Sequence, residues 1–314
     1  MSNIIEAPKV GISGKVLQWE VINADGSIDR ACYRPSDNLI TDYGLDLIPY
    51  VEPSYSKYLN RYFCIGTGTA EPSATDTTLT AEAYRAECLY TSYNSTTYSA
   101  AGSDPYYCYS QRGVQTPLGV LNGTYGEIGF SFSDKYDGYV FCKHRLKDEN
   151  GDPTTITVTS AQQLRLKYVL VWCFSPSTVT TGTINISGVG DIDYEAKWQK
   201  PTLGNAKIPR FMCAVAGQHY DMVHFPSAIS FVNIGNNYAA THLASGTSAR
   251  AYVSGSHEVF YIGYWSVDAG NTTIYGIGIT DGNYSQFTVK FLQPFVKVNT
   301  HALTFTIKVS WGRS

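Results

Sequence analysis

Residues 125–172 read YGEIGFSFSDKYDGYVFCKHRLKDENGDPTTITVTSAQQLRLKYVLVW, and this stretch decides the fold class. Runs of β-branched and aromatic residues are separated by clusters of Gly, Asp, Asn and Pro, which is the pattern of strands joined by turns. The predicted strands are Gly126–Ser133, Gly138–Arg145, Thr154–Thr159 and Gln163–Phe174. Between the second and third, Asn150-Gly151 is a strong signal for a hairpin turn, because Gly accepts a positive φ.

Upstream of this stretch, the sequence predicts a hairpin followed by a helix. Residues Gly14–Tyr33 predict a hairpin whose turn is supplied by Asp25-Gly26. In its first strand, two sets of residues alternate, and the set on the more apolar face is Lys15, Leu17, Trp19 and Val21. In residues 38–48, apolar side chains then recur at near-helical spacing until Pro49. Asp37 or Asn38 is the predicted N-cap, since short polar side chains accept hydrogen bonds from the first turn of a helix.

The second half of the chain predicts further strands, with turn signals about every 8–12 residues, as in sandwiches and barrels. These strands are Asp191–Gln199, Phe211–Ala216, Ala228–Asn233, His257–Val267, Thr272–Ile279, Ser285–Val298 and Ala302–Trp311. Ser175–Gly190 carries no charge and is the predicted boundary, either a linker or an extended strand. The expected fold is all-β, with jelly-roll-like β-sandwich domains and one short helix. The expected divisions are 1–48, 49–175 and 190–314, with the last strand returning to the first.

Composition excludes several classes of protein. Charged residues are only 16% of the chain and the net charge is −3, which argues against a protein that binds nucleic acid through its phosphates. The basic run 143–147 lies beside three acids and is interpreted as a charged turn. The longest dense apolar run is 168–174, far short of the ~20 residues that span a bilayer, and the N-terminus lacks a secretory pattern. We expect synthesis in a cytosol and no membrane insertion.

The sequence contains no complete motif for phosphate binding, calcium binding or a structural zinc site. Gly66-Thr67-Gly68 lacks the lysine of a phosphate loop, and the acids of residues 148–152 lack the later glycine and glutamate of a calcium loop. The seven cysteines show no C-x-x-C pair; buried free thiols are favoured, with disulfides formed after release as the alternative. We expect no enzymatic activity and no cofactor.

Asp191, Asp193 and Glu195 alternate along one predicted strand, so their carboxylates lie on the same face. Such a row could bind a hard cation or supply the paired acids of a glycosidase. The favoured interpretation is an exposed strand face whose charge blocks edge-to-edge association.

The 25 tyrosines are the remaining signal. Tyrosine offers a large contact area with a polar tip, which suits cross-strand packing, protein interfaces and sugar-binding platforms, and all three stay open. The aromatic interface candidates are Trp19, Tyr106, Tyr107, Tyr109, Tyr261 and Tyr264.

Residues 125–172 and two shorter segments together resemble a known class of proteins. Ser36–Ile48 reads SDNLITDYGLDLI and Cys64–Glu82 reads CIGTGTAEPSATDTTLTAE. In this order the three segments resemble structural proteins of tailed bacteriophages, and the closing Ala302–Arg313 is similar to the ends of such virion subunits. Asp191–Gln293 resembles nothing we can name. The resemblance implies a β-sandwich built into a phage particle and carries over no catalytic residue.

The expected function is therefore a virion structural subunit of the tail, neck, collar or fibre that contacts other virion proteins and copies of itself. The alternative is a receptor-binding module for host surface glycan, and weaker alternatives are a capsid decoration protein and a glycan depolymerase. Residues 1–48 are the candidate docking region, because the first dozen residues lack a clear pattern and are expected to order only against a partner.

Overall fold

A computed structural model describes residues 4–48, 59–88, 104–134, 139–199, 221–225, 249–268, 271–280 and 285–314. These residues form twenty strands and one helix, which confirms the prediction of an all-β protein with a short helix. The predicted strands at 211–216 and 228–233 lie outside the described residues.

The elements follow one another along the chain as short strands interrupted once by a helix. The first half contains β1 (Ile4–Glu6), β2 (Val10–Asn23), β3 (Ile28–Cys32), β4 (Ser36–Ile40), α1 (Asp42–Leu47), β5 (Tyr62–Gly66), β6 (Glu82–Glu87), β7 (Tyr106–Gln115), β8 (Gly123–Tyr125), β9 (Glu127–Ser131), β10 (Cys142–Arg145), β11 (Ile156–Val158) and β12 (Gln162–Phe174). The second half contains β13 (Thr180–Ile186), β14 (Gly190–Trp198), β15 (Asp221–Phe225), β16 (Ala249–Tyr252), β17 (Glu258–Trp265), β18 (Thr273–Thr280), β19 (Ser285–Val296) and β20 (Leu303–Arg313).

The chain divides into two compact units. We call the first the N-unit; its described residues are 12–48, 59–88, 108–134, 139–172 and 313–314. We call the second the C-unit; its described residues are 4–11, 104–107, 173–199, 221–225, 249–268, 271–280 and 285–312. This division differs from the expected one, because residues 12–48 belong to the same unit as residues 59–88, 108–134 and 139–172. Residues 4–6 pair with β20 in parallel, so β1 orders within its own chain, contrary to the expectation for the first dozen residues.

Two sheets pack against each other in the N-unit. One runs β4-β10-β9-β5-β6, and the other contains β7, β12 and β2. Strand β4 belongs to both, since Gly14 of β2 pairs with Asn38 while Cys142 of β10 pairs with Ile40. Across the two layers, the rings of Phe130 and Tyr168 stack with centroids 4.1 Å apart. The core therefore lies between β9 and β12.

The hairpin of β2 and β3 is confirmed, with Gly26 at φ +87° in its turn. The predicted alternation along β2 is wrong for its first part. In that part the buried side chains are those of even-numbered residues, such as Ile12 and Val16. From Trp19 to Ile22, side chains on both faces of the strand are buried. The change falls where β2 stops pairing with β4 and begins to pair with β3, so one strand serves two partners.

The helix begins later than predicted, because residues 36–40 form β4 instead. Thr41 is the N-cap: its hydroxyl accepts from the Gly44 N–H at 2.9 Å and contacts the carbonyls of Val140 and Phe141 at 3.0 and 3.1 Å. The apolar residues with near-helical spacing include Leu39 and Ile40, which belong to strand β4. Spacing alone does not distinguish a short buried strand from the start of a helix.

The turn at Asn150-Gly151 is present, but it does not join a hairpin of paired strands. Only an isolated bridge between Lys147 and Pro153 closes it, while β10 pairs with β4 and β9, and β11 pairs with β8. The Asp148 carboxylate accepts from the N–H groups of Asn150 and Asp152, at 2.8 and 3.0 Å. The first acid of the sequence that imitates a calcium loop therefore stabilises the turn itself.

The C-unit is also built from two packed sheets, β1-β20-β17-β16 and β13-β14-β19-β18-β15. Phe291 of β19 and Phe305 of β20 stack across the layers with centroids 5.6 Å apart. Trp198 packs on Phe287 at 4.8 Å, and its indole N–H donates to the Pro8 carbonyl at 2.7 Å. The predicted boundary at 175–190 contains β13, so the extended-strand interpretation holds there.

Gly44 provides a test of how tightly α1 is seated. A Cβ at this position would lie 2.0 Å from the Phe141 carbonyl oxygen, whereas at Gly123 the nearest atom, the Tyr125 hydroxyl, would be 3.5 Å away. Intrinsic propensity favours Ala over Gly in a helix. We expect the opposite sign here: Gly44→Ala should lower the free energy of unfolding by roughly 1–3 kcal/mol, as overpacking does. Urea unfolding measures this, with Gly123→Ala as the control; equal stability of both variants would contradict the seating of α1.

Candidate functional site

A buried and charged site lies in the N-unit, beside the Gly66-Thr67-Gly68 turn. Lys143 of β10 places its Nζ 3.2 Å from Glu127 and 3.1 Å from Asp76. The same ammonium group donates to the Thr80 hydroxyl at 3.1 Å. Lys143 is 3% exposed and Glu127 is fully buried, so each charge depends on the other for compensation. We call these four residues the Lys143 cluster.

The glycines of the turn are explained by this cluster. A Cβ at Gly66 or Gly68 would lie 2.7 or 2.3 Å from the Glu127 carboxylate. The Ala81 N–H donates to the Oε1 of that carboxylate at 3.0 Å, and Oε2 is the oxygen that lies beside Lys143. A carboxylate thus fills the concave side of the turn, where a phosphate loop would hold its ligand. The turn therefore accommodates the protein's own glutamate.

The interpretation of the basic run 143–147 as a charged turn is wrong for its first three residues. Lys143, His144 and Arg145 form β10 and are at most 7% exposed. Arg145 donates through Nη1 to the carbonyls of Gly126 and Thr154. Sequence reasoning missed the Lys143 cluster because it paired the basic run with the acids that follow it directly in sequence. The acids that actually contact Lys143, Glu127 and Asp76, lie farther away along the chain.

His144 is a buried histidine, and its hydrogen bonds define which ring nitrogen carries the proton. Its Nδ1 lies 2.9 Å from the Asp37 carbonyl, which can only accept, so Nδ1 carries the proton. Its Nε2 then accepts from the Ser36 hydroxyl at 3.1 Å. Burial lowers the pKa of His144 to about 4, and the nearby charges of Lys147 and Arg145 act in the same direction. The neutral ring ties β10 to β4.

The carboxylate row in the C-unit has a different character from the Lys143 cluster. Asp191 and Asp193 are exposed on β14 and accept from Asn185 and Thr183 of β13, both at 2.6 Å. Glu195 lies 3.4 Å from the Nζ of Lys290 on β19. Each acid therefore has its own cross-strand partner. Among the residues that the structure describes, no group of three or more His, Cys, Asp or Glu side chains is placed to hold a metal.

Five cysteines fall within the described residues with their side chains, and none of them forms a disulfide. Cys32, Cys64, Cys88 and Cys142 are buried, and Cys173 is half-buried. Burial raises the pKa of Cys88 and Cys142 to about 12, and it also raises the pKa of Cys64 well above its ordinary value. These thiols fill core positions, as favoured from the sequence. Cys213 and the side chain of Cys108 lie outside the described residues.

The aromatic interface candidates separate into two groups. Trp19, Tyr106 and Tyr261 are no more than 5% exposed; Trp19 donates to the Lys147 carbonyl at 3.0 Å, and Tyr106 packs on Phe174. Tyr264 is 41% exposed on the outer face of β17. Tyr261 and Tyr264 are an odd number of residues apart, so a strand directs them to opposite faces.

Tyr107 is half-buried, and the side chain of Tyr109 lies outside the described residues. Surface candidates for contact are thus Tyr264 and, in part, Tyr107. Outward-facing Phe260 and Ile262 lie on the same face of β17 as Tyr264 and are half-buried.

Comparison with protein-family models, curated proteins and solved structures gives no match for this chain. Within the described residues, no helix has both the length and the apolar character needed to cross a bilayer. The function of the chain therefore has to be inferred from its own residues and their contacts.

The Lys143 cluster predicts a large difference between two lysine substitutions. Lys143→Met removes the ammonium group and leaves Glu127 buried without it, which typically costs about 3–5 kcal/mol of stability. Lys15, whose exposed ion pair with Asp37 is 3.3 Å long, is the control; Lys15→Met should change stability by about 1 kcal/mol or less. Urea unfolding compares the two. Adding Glu127→Gln to Lys143→Met should recover part of the loss, and equal effects of the two single substitutions would contradict the cluster.

The His144 geometry predicts a specific pH dependence of stability. The folded pKa is about 4 and the ordinary value is 6.5, so the unfolded chain binds the proton more readily. Stability is therefore complete above pH 6.5 and is lost as pH falls through this window, by about 3 kcal/mol between pH 7 and pH 4. His144→Asn should lose this part of the dependence in urea unfolding at the two pH values. His301→Asn, at an exposed position, should retain it; unchanged pH dependence in His144→Asn would refute the assignment.

Proposed function

We propose that this chain is a structural subunit of a tailed-bacteriophage particle, in the tail, neck, collar or fibre. It acts through contacts with copies of itself and with other virion proteins, without catalysis and without a cofactor. Its location is then the virion, after synthesis in the host cytoplasm. The proposal rests on the resemblance of three segments and on how those segments meet in the N-unit.

The three segments are joined pairwise by backbone hydrogen bonds. The Asp42 N–H donates to the Ala74 carbonyl at 2.8 Å, which joins the first segment to the second. The Val140 N–H donates to Thr77 at 2.8 Å, which joins the third to the second, and the Thr41 N–H donates to Phe141 at 3.1 Å, which joins the first to the third. Patterns that are far apart in sequence therefore specify one packed site. This convergence is the observation that carries the proposal, because it supports treating the resemblance as that of a whole domain.

The residue types in those segments also have packing roles. Thr41 caps α1, Gly44 permits its close approach to Phe141, and Gly66 and Gly68 enclose Glu127. Asp76 and Thr80 complete the contacts of Lys143. A motif whose residues are used in packing is typical of a scaffold, whereas catalytic motifs direct reactive groups to a cleft. This supports a role in which the N-unit provides a rigid body for assembly.

The proposal predicts that the chain is a stoichiometric component of purified particles. Particles of the phage that encodes it should contain the chain by quantitative mass spectrometry, and a labelled antibody should decorate one ring or fibre in negative-stain images. A replication protein encoded by the same phage serves as the control and should be absent. A chain that is abundant in the infected cell but missing from particles would overturn the proposal.

Recognition of host glycan is the second candidate, and the exposure of Tyr264 on β17 is the observation that favours it. An aromatic ring on a sheet face can stack on a sugar. Particles carrying Tyr264→Ala should then assemble in normal numbers but adsorb poorly to host cells. The matched control is Tyr33→Ala, since Tyr33 is also exposed, at 52%, but belongs to the N-unit. Normal adsorption by both variants would remove this candidate.

A further inference from the structure

Strand β13 is an open edge of the C-unit. It pairs along its whole length with β14, and no other strand among the described residues pairs with it. At its first residue, the Thr180 hydroxyl donates to the Glu6 carbonyl of β1 at 2.7 Å, so the open edge begins at Thr181. An edge strand directs the N–H and C=O groups of alternate residues outward, which makes it a template for another strand. From Ser175 to Gly190 the sequence reads SPSTVTTGTINISGVG and contains no charged residue.

The other edge strands of the described chain carry charge, which is the common protection against association. These residues are Glu6 on β1, Asp221 on β15, Arg250 on β16, Arg112 on β7, Asp29 and Arg30 on β3, and Glu82, Arg85 and Glu87 on β6. The small sheet of β8 and β11 is uncharged, but each of its strands has only three residues. Strand β13, with seven residues, is therefore the long edge of the described chain that lacks this protection.

The two faces of β13 suit extension of the sheet. Ile184 and Ile186 are buried on the inner face, while Thr181, Thr183 and Asn185 are exposed on the outer face. The hydroxyl of Thr183 and the amide of Asn185 are directed to Asp193 and Asp191 on β14. The neighbouring acids are thus engaged on the side away from the open edge. A strand added at this edge would meet backbone groups flanked by β-branched side chains.

We propose that β13 pairs antiparallel with β13 of a second copy of this chain, about a two-fold axis at Thr183. In the register centred there, Thr183 lies opposite Thr183, Thr181 opposite Asn185, and Gly182 opposite Ile184. No like charges face each other, and Thr–Thr pairs stabilise antiparallel sheets. The contact is isologous and leaves neither β13 edge open. This inference rests on the self-association in the proposed function and identifies its surface.

Charge substitutions at the two-fold axis test the pairing. Thr183→Lys places two lysines opposite each other in the dimer, while in the single chain the new ammonium faces Asp193 and is compatible with folding. Like charges that face each other across an interface oppose association, so self-association measured by sedimentation velocity should weaken roughly 10- to 100-fold. Thr183→Glu should weaken it similarly. An equimolar mixture of the two variants should restore association, because Lys then lies opposite Glu.

Thr304→Lys is the matched control, since Thr304 is an exposed strand residue on the outer face of β20. It should associate like the wild-type chain, and circular dichroism should show that all variants are folded. Wild-type chain that remains monomeric at high concentration would overturn this inference, as would undiminished association of Thr183→Lys or loss of association in Thr304→Lys. None of these results would remove the chain from purified particles, so the inference and the proposed function fail separately.

Discussion

The burial of one ammonium group constrains much of the N-unit. Lys143 lies on a strand whose residues are all buried, so its charge has to be compensated inside the protein by Glu127 and Asp76. A buried ion pair of this kind adds little net stability, but loss of one partner is severe because the other is left in a medium of low dielectric constant. The turn around Glu127 can then contain only residues that leave room for the carboxylate. The position of a single charge thus constrains the glycines at and after the end of β5, the glutamate on β9 and the aspartate in the loop before β6.

The two units solve the packing of sheets in different ways. In the N-unit, polar groups hold segments in place: the Thr41 hydroxyl, the neutral His144 ring and the Lys143 cluster each connect two or more segments. In the C-unit, aromatic side chains lie in the core, with Trp198 against Phe287 and Phe291 against Phe305. Polar connections have demanding geometry and specify a unique arrangement, whereas aromatic layers provide burial with looser positional demands.

Local sequence patterns were sufficient to predict most strands, but they did not predict which strands pair with each other. Alternation and turn residues predicted the β2–β3 hairpin and most strands, because both signals act within a few residues. They failed at β4, where a buried strand and a helix share apolar spacing, and at Lys147–Pro153, where the turn is present but its flanking strands join different sheets. Strand pairing depends on contacts that are distant in sequence, as in the bond between Thr41 and Phe141. The Lys143 cluster was invisible for the same reason, since its members come from three segments. Among the aromatic candidates, Tyr261 and Tyr264 are three residues apart in a predicted strand. This spacing alone places them on opposite faces, so the sequence could have separated the buried residue from the exposed one.

The buried thiols have a consequence for how the protein responds to oxidants. Oxidation and disulfide exchange proceed through the thiolate, and burial keeps Cys64, Cys88 and Cys142 protonated at neutral pH. The reactive thiolate is therefore scarce at these three sites, in reducing and in oxidising surroundings alike. The same packing that fills the core with these side chains thus also limits their chemistry.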